Sequence, residues 1–147
     1  MRAHVKNLAT AALATTVVLL LALAPPAALA APPATQATCA GIAAAYPILG
    51  VQCQKAYDKI NHAPANAAER LTTYKARAAV LVIFRKAALC NGMYGANKAA
   101  QSAFLSGEQG HITALAGLRV AMTAAGDPDP GDPPDLTTIS MNKQQCK

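Results

Sequence analysis

"ARAAVLVIFRKAALCNG", Ala76 to Gly92, is the stretch on which the fold turns. Seven apolar residues, Ala78 to Phe84, lie between Arg77 and the pair Arg85-Lys86. That run is far short of the ~20 residues that a membrane-spanning helix needs. Extended towards the N-terminus, Leu71, Tyr74, Ala78, Leu81, Val82, Ala88 and Leu89 recur every three or four residues. This is the stripe of a helix with a buried face. The β-branched residues leave a strand as the competing reading. Asn66-Ala-Ala-Glu69 supplies a capping box at the start, and Gly92 after Asn91 offers the left-handed residue that closes many helices. The expectation is a central core helix. Within it, Arg85 follows Leu81 by one turn, so its stem packs at the edge of the stripe and its guanidinium reaches solvent, an acid or a partner. The expected acid is Asp135, and Arg85 is the one candidate binding residue.

The flanks read as helix too. "CAGIAAAYPILGVQCQKAYDKINHAP" is helical but broken or kinked at Pro47, which has no amide hydrogen to give. Beyond it Leu49, Cys53, Ala56, Tyr57 and Ile60 share a face, and Asn61 to Ala65 forms a turn. After Gly92, a short helix is expected over Tyr94–Leu105. A second capping-box pattern, Ser106-Gly-Glu-Gln109, then opens another helix with Ile112, Leu115, Ala116, Leu118 and Met122 inward, ended by Gly126. "DPDPGDPPD" (127–135) holds four prolines and reads as an acidic linker. The expected fold is all-α, a small disulfide-stapled bundle of about four helices.

The N-terminus reads as an export signal. Arg2 and Lys6 precede the uncharged run Leu8–Ala24, and Ala28-x-Ala30 fits a cleavage site. The expected organisation is therefore a signal peptide over 1–30, a flexible mature N-terminus over 31–38, a helical domain over 39–126, and a Pro/Asp-rich tail over 127–147 tied back by Cys146. No stable membrane span is expected after cleavage, and the protein is expected to be secreted or periplasmic.

Four cysteines, Cys39, Cys53, Cys90 and Cys146, follow the signal. An even count in an exported chain implies two disulfides. None lies close enough to another for the usual zinc-ligand spacing. If the segments flanking Pro64 form an antiparallel hairpin, Cys39 and Cys90 come opposite each other, since they stand 25 and 26 positions from it. Cys39–Cys90 with Cys53–Cys146 is the expected pairing. A Cys39–Cys53 bond would need a sharp reversal near Pro47.

Chemistry is sparse. Ala31–Gly126 carries nine Lys or Arg but only three acids, Asp58, Glu69 and Glu108. Both glutamates occupy capping slots, which leaves no placed carboxylate pair for acid–base catalysis. His62 stands four residues after Asp58 and His111 three after Glu108, but a carboxylate-bridged di-metal site needs more acids than the chain supplies. No nucleophile-elbow motif and no haem-attachment motif occur, so no cofactor, no metal and no catalytic residue is assigned. Tyr46, Tyr57, Tyr74, Tyr94, His62, His111 and Met93 are candidate axial ligands to a haem, with nothing to single any of them out. The basic body favours an acidic protein or an anionic envelope component as partner, and the lack of Trp and of an aromatic-interleaved basic cluster argues against nucleic acid.

"VQCQKAYDKIN" followed by "LTTYKARAAVLVIFRKAALC" resembles a family of exported, cysteine-stapled helical proteins that includes lysozyme inhibitors. In that resemblance Phe84, Arg85 and Cys90 take the places of an aromatic, an arginine and a cysteine on a later helix. Lys86 stands where an acid is expected and Trp is absent, and the resemblance assigns no site. The functional expectation is an exported non-enzymatic binding protein of inhibitor, immunity or accessory envelope type. The alternative is a small exported enzyme, a haem or ligand carrier, or a cationic membrane-active effector.

Overall fold

The computed structural model describes residues 38–94 and 97–147. The expected signal peptide and all but the last residue of the expected N-terminal stretch lie outside the described residues. The described chain forms four α-helices and one 3-10 turn: α1 Cys39–Ala45, α2 Pro47–Tyr57, α3 Ala67–Met93, α4 Lys98–Ala124 and the turn Leu136–Thr138. No strand occurs among the described residues, and no helix there is long and apolar enough to cross a membrane.

Pro47 breaks the first helical stretch as the missing amide requires. It occupies the first turn of α2, where no donor is needed, and Tyr46 is the one non-helical residue between α1 and α2. The chain folds back on itself at that point. Gly50 of α2 lies so close to the Ala43 backbone of α1 that a Cβ there would collide with it. The reversal brings Cys39 to Cys53, with Cα atoms 5.3 Å apart, and these two form a disulfide. Cys90 is bonded to Cys146. The expected pairing, Cys39–Cys90 with Cys53–Cys146, is therefore corrected. The hairpin register held only if residues 39 to 60 were one straight helix, and the Tyr46–Pro47 reversal removes that condition.

α3 begins as its capping box dictates. Asn66 accepts from the Glu69 amide at 2.9 Å, and Glu69 reaches back to the Ala65 amide at 2.8 Å. Its 27 residues include eleven buried ones, against six in the equally long α4. α3 is the central helix, with α4 along one side, the α1–α2 hairpin on another, and the C-terminal tail crossing to Cys90. Leu81 is 1% exposed. The larger core joins α1, α2, the second half of α3 and the start of α4 through Ile42, Leu49, Val80, Phe84, Ala87 and Phe104. A smaller one gathers Tyr74, Leu81, Leu115 and Met122, with Leu136 packed against it.

Gly92 does not close α3. The helix runs on to Met93. Asn91, buried, donates its side-chain amide to the Asn97 carbonyl at 3.2 Å and to Gln101 Oε1 at 3.0 Å, tying the two long helices together. The two helices expected after Gly92 are one continuous α4, capped by Asn97, with Ser106-Gly-Glu-Gln109 in its interior. Of the residues expected to face inward, Leu115 and Met122 are buried and Leu118 half-buried, while Ile112 and Ala116 are exposed. Gly126 does end α4, at φ 72°. Its amide bonds to Thr123 O and that of Asp127 to Met122 O, the double closure of a Schellman motif.

Candidate functional site

Most of the residues with chemical potential are occupied in holding the fold. Arg85, the candidate binding residue, points to α4: its Nη2 lies 2.8 Å from Glu108 Oε1. The partner expected in the tail, Asp135, instead caps the 3-10 turn by accepting from the Thr137 amide and hydroxyl. Glu108 and His111 occupy successive turns of α4, both buried. The His111 ring packs on Phe84, with centroids 5.4 Å apart, and Gly107 leaves the space that the Phe84 ring fills. Burial, assisted by the Arg77 charge, holds His111 down to a pKa of about 4, so it is neutral at ordinary pH. Arg85 Nε, Glu108 Oε2 and His111 Nδ1 are buried without a hydrogen-bond partner.

His62, in contrast, is exposed beside Tyr57, and Asp58 is engaged by Gln54 Nε2 at 2.7 Å. Tyr57 is exposed, but the other three tyrosines that could serve a haem are used elsewhere. Tyr74 donates to the Gly131 carbonyl at 3.0 Å, Tyr94 to the Lys143 carbonyl at 2.9 Å, and Tyr46 packs against Phe104. No cluster of three metal-ligating residues occurs among the described residues.

The proline-rich segment is a pinned strap and not a free linker. Arg70 holds Asp127 with two bonds, at 2.6 and 2.9 Å. Arg119 takes Asp129 at 3.0 Å and Asp132 at 2.9 Å. The arginine bonds keep the Asp127 and Asp129 carboxyls below the usual range. Between strap and α4 lies an open groove of about 660 Å³ whose lining includes Tyr74, Ile112, Leu115, Val120 and Pro133. Its lining contains no histidine and no carboxylate, so it offers apolar contact and no acid–base pair.

Among the described residues, unpaired positive charge falls on the lysines and Arg77, and part of it gathers at one end of the bundle. Arg70, Arg85 and Arg119 are paired with acids, whereas none of the seven lysines of the described residues is in an ion pair there. The Cys90–Cys146 bond brings Lys147 to the end of α3, one turn from Lys86. The Tyr94 bond holds Lys143 to the same end, where Lys98 opens α4. No acid occurs from Lys86 to Gly107, or from Leu136 to Lys147. The bundle therefore has a cationic end at Lys86, Lys98, Lys143 and Lys147, and an acidic strap towards the other end of α4. The acid-free runs are visible in the sequence. Their meeting depends on the disulfide, which the sequence argument paired otherwise.

Comparison with family models, with characterised proteins and with solved structures finds no match.

Proposed function

We propose that this chain is an exported, non-enzymatic helical binding protein, of inhibitor, immunity or accessory envelope type, that takes an acidic protein or an anionic envelope component at its cationic end. The observation carrying this reading is the acid-free lysine cluster at the Cys90–Cys146 bond, on a body where Arg70, Arg85, Arg119, Glu108 and His111 are taken up by ion pairs and packing. Unpaired lysines on a rigid surface attract and orient an anionic partner through the summed field. The charged start, apolar run and Ala28-x-Ala30 support export.

Affinity capture from envelope and secreted fractions with the oxidised protein tests the reading. Lys98→Glu with Lys143→Glu should lower capture ~10-fold or more, while Lys75→Glu, on a different part of α3, should leave it nearly unchanged. Equal capture by all three proteins would contradict it.

A further inference from the structure

The α1–α2 hairpin ends in an exposed apolar tip. Ala44, Ala45 and Pro47 are exposed at the turn, Ile48 is 58% exposed, and Val51, one turn further on, is 56% exposed. Leu49, Gly50 and Cys53 take the inner face of α2, which leaves Ile48 and Val51 outside. No acid and no base occurs from Cys39 to Gln54. The Cys39–Cys53 bond and the close approach of Gly50 to Ala43 hold the two short helices together, so the tip is a fixed projection.

The tip belongs to the cationic end. Tyr46, at the turn, packs its ring on Phe104 with centroids 6.3 Å apart, and Phe104 stands less than two turns from Lys98 on α4. Burial first, and then the neighbouring Tyr94 phenol, raise the Tyr46 hydroxyl above its ordinary value. Tyr94 itself is 46% exposed and bonded to the Lys143 carbonyl. Apolar side chains, an amphipathic phenol and lysines thus share one end of the molecule. The segments that build that end, Cys39–Tyr57, Lys86–Gly107 and Leu136–Lys147, contain no acid.

We propose that this end docks on the surface of an anionic lipid bilayer, with Ile48 and Val51 entering the acyl boundary, Tyr94 at headgroup level, and Lys98 and Lys143 against lipid phosphates. The proposal rests on the reading of the cationic end given above and names its partner. Charge complementarity selects an anionic occupant, and the apolar tip selects one with an apolar interior. A few inserted side chains or a few lysines hold a protein to a membrane only weakly, whereas the two together add. A phenol suits the boundary, since its ring is apolar and its hydroxyl is wet. The lysine stems reach along apolar surface while the ammonium groups stay in water. The inserted part is alanine, proline, isoleucine and valine, without the tryptophan, tyrosine or arginine anchors that dominate protein interfaces. Fluid acyl chains close around such a projection and need no matching pocket. The contact is peripheral and reversible.

Flotation of the purified, oxidised protein with vesicles tests the proposal, comparing equal parts phosphatidylglycerol and phosphatidylcholine with phosphatidylcholine alone. The wild type should float with the first and stay behind with the second. Ile48→Asp should weaken binding ~10-fold or more. Its melting temperature should be unchanged, since Ile48 is exposed and an acid suits the first turn of a helix. Val120→Asp, at an exposed apolar residue towards the other end of α4, should leave binding as it is. The chain has no tryptophan, so Ile48→Trp supplies a single fluorophore whose emission should shift to the blue on the anionic vesicles. Absence of binding, equal binding to both vesicles, indifference to Ile48→Asp, or an unshifted Ile48→Trp emission each overturns the proposal. If vesicles are ignored while envelope capture still depends on Lys98 and Lys143, the lipid partner falls and the cationic end keeps an acidic protein. Capture indifferent to those lysines overturns both.

Discussion

Arg85 Nη2 lies 2.8 Å from Glu108 Oε1, joining α3 to α4 through a pair whose acid keeps 8% of its side-chain exposure and whose arginine keeps 30%. An arginine read from sequence as a candidate contact for a partner is thus a strut between the two long helices. Removing it strands a buried carboxylate. Arg85→Ala should cost ~3 kcal/mol, at the low end for breaking a buried pair because the arginine is partly solvated. Urea unfolding measures it. A cost below about 0.5 kcal/mol together with weakened partner capture would return Arg85 to the binding surface.

His111 makes the stability pH-dependent. Its folded pKa of about 4 lies below the ordinary 6.5, so between these values the unfolded chain binds the proton and the folded chain does not. The contribution is complete above about pH 6.5, declines as pH falls, and levels off below about 4. The loss is ~3 kcal/mol by linkage. Chemical denaturation at pH 7.5 and 4.5 should show it. His111→Gln should flatten the change over that interval, and an equally steep change in the variant would assign it to other groups.

Three glycines of α4 should respond in opposite directions. A Cβ on Gly107 meets the Phe84 ring, so Gly107→Ala should destabilise by ~1–3 kcal/mol. Gly110 and Gly117 have open space around the same position, and alanine there should stabilise by ~0.5–1 kcal/mol each. Thermal melts of the three variants decide this. A stabilised Gly107→Ala would mean that the α3–α4 contact is looser than the structure has it.

Leu81, 1% exposed in the smaller core, should cost ~2–5 kcal/mol when cut to alanine, whereas Lys98→Ala should lie within ~0.5 kcal/mol of wild type. Equal melts for the two would remove Ala76–Gly92 from the core.

What the sequence made legible was local. The Asn66–Glu69 cap, the break at Pro47 and the stop at Gly126 each rest on interactions within a few residues, and each stands in the structure. Of the expected stripe, Tyr74, Leu81 and Ala88 are buried but Leu71, Ala78, Val82 and Leu89 only half-buried, because the larger core forms on Val80, Ile83, Phe84 and Ala87. What failed was decided at long range. Gly92 could close a helix, but Asn91 reaches Asn97 and Gln101 and the helix continues. Ser106-Gly-Glu-Gln109 has the composition of a helix start, yet Glu108 is engaged by Arg85, 23 positions away, inside a helix already begun at Lys98. The strap looked solvated because its three arginine contacts to Asp127, Asp129 and Asp132 come from helices outside it. The cationic end was hidden because two acid-free runs meet only through Cys90–Cys146.

That bond is the pivot of the account, since it places the tail, the strap's exit and the lysines around Lys98. Non-reducing proteolysis followed by mass spectrometry of the linked peptides tests it most directly. The account predicts one linked pair holding Cys39 and Cys53 and another holding Cys90 and Cys146. Peptides linking Cys39 to Cys90 and Cys53 to Cys146 would contradict it, and would dismantle the cationic end.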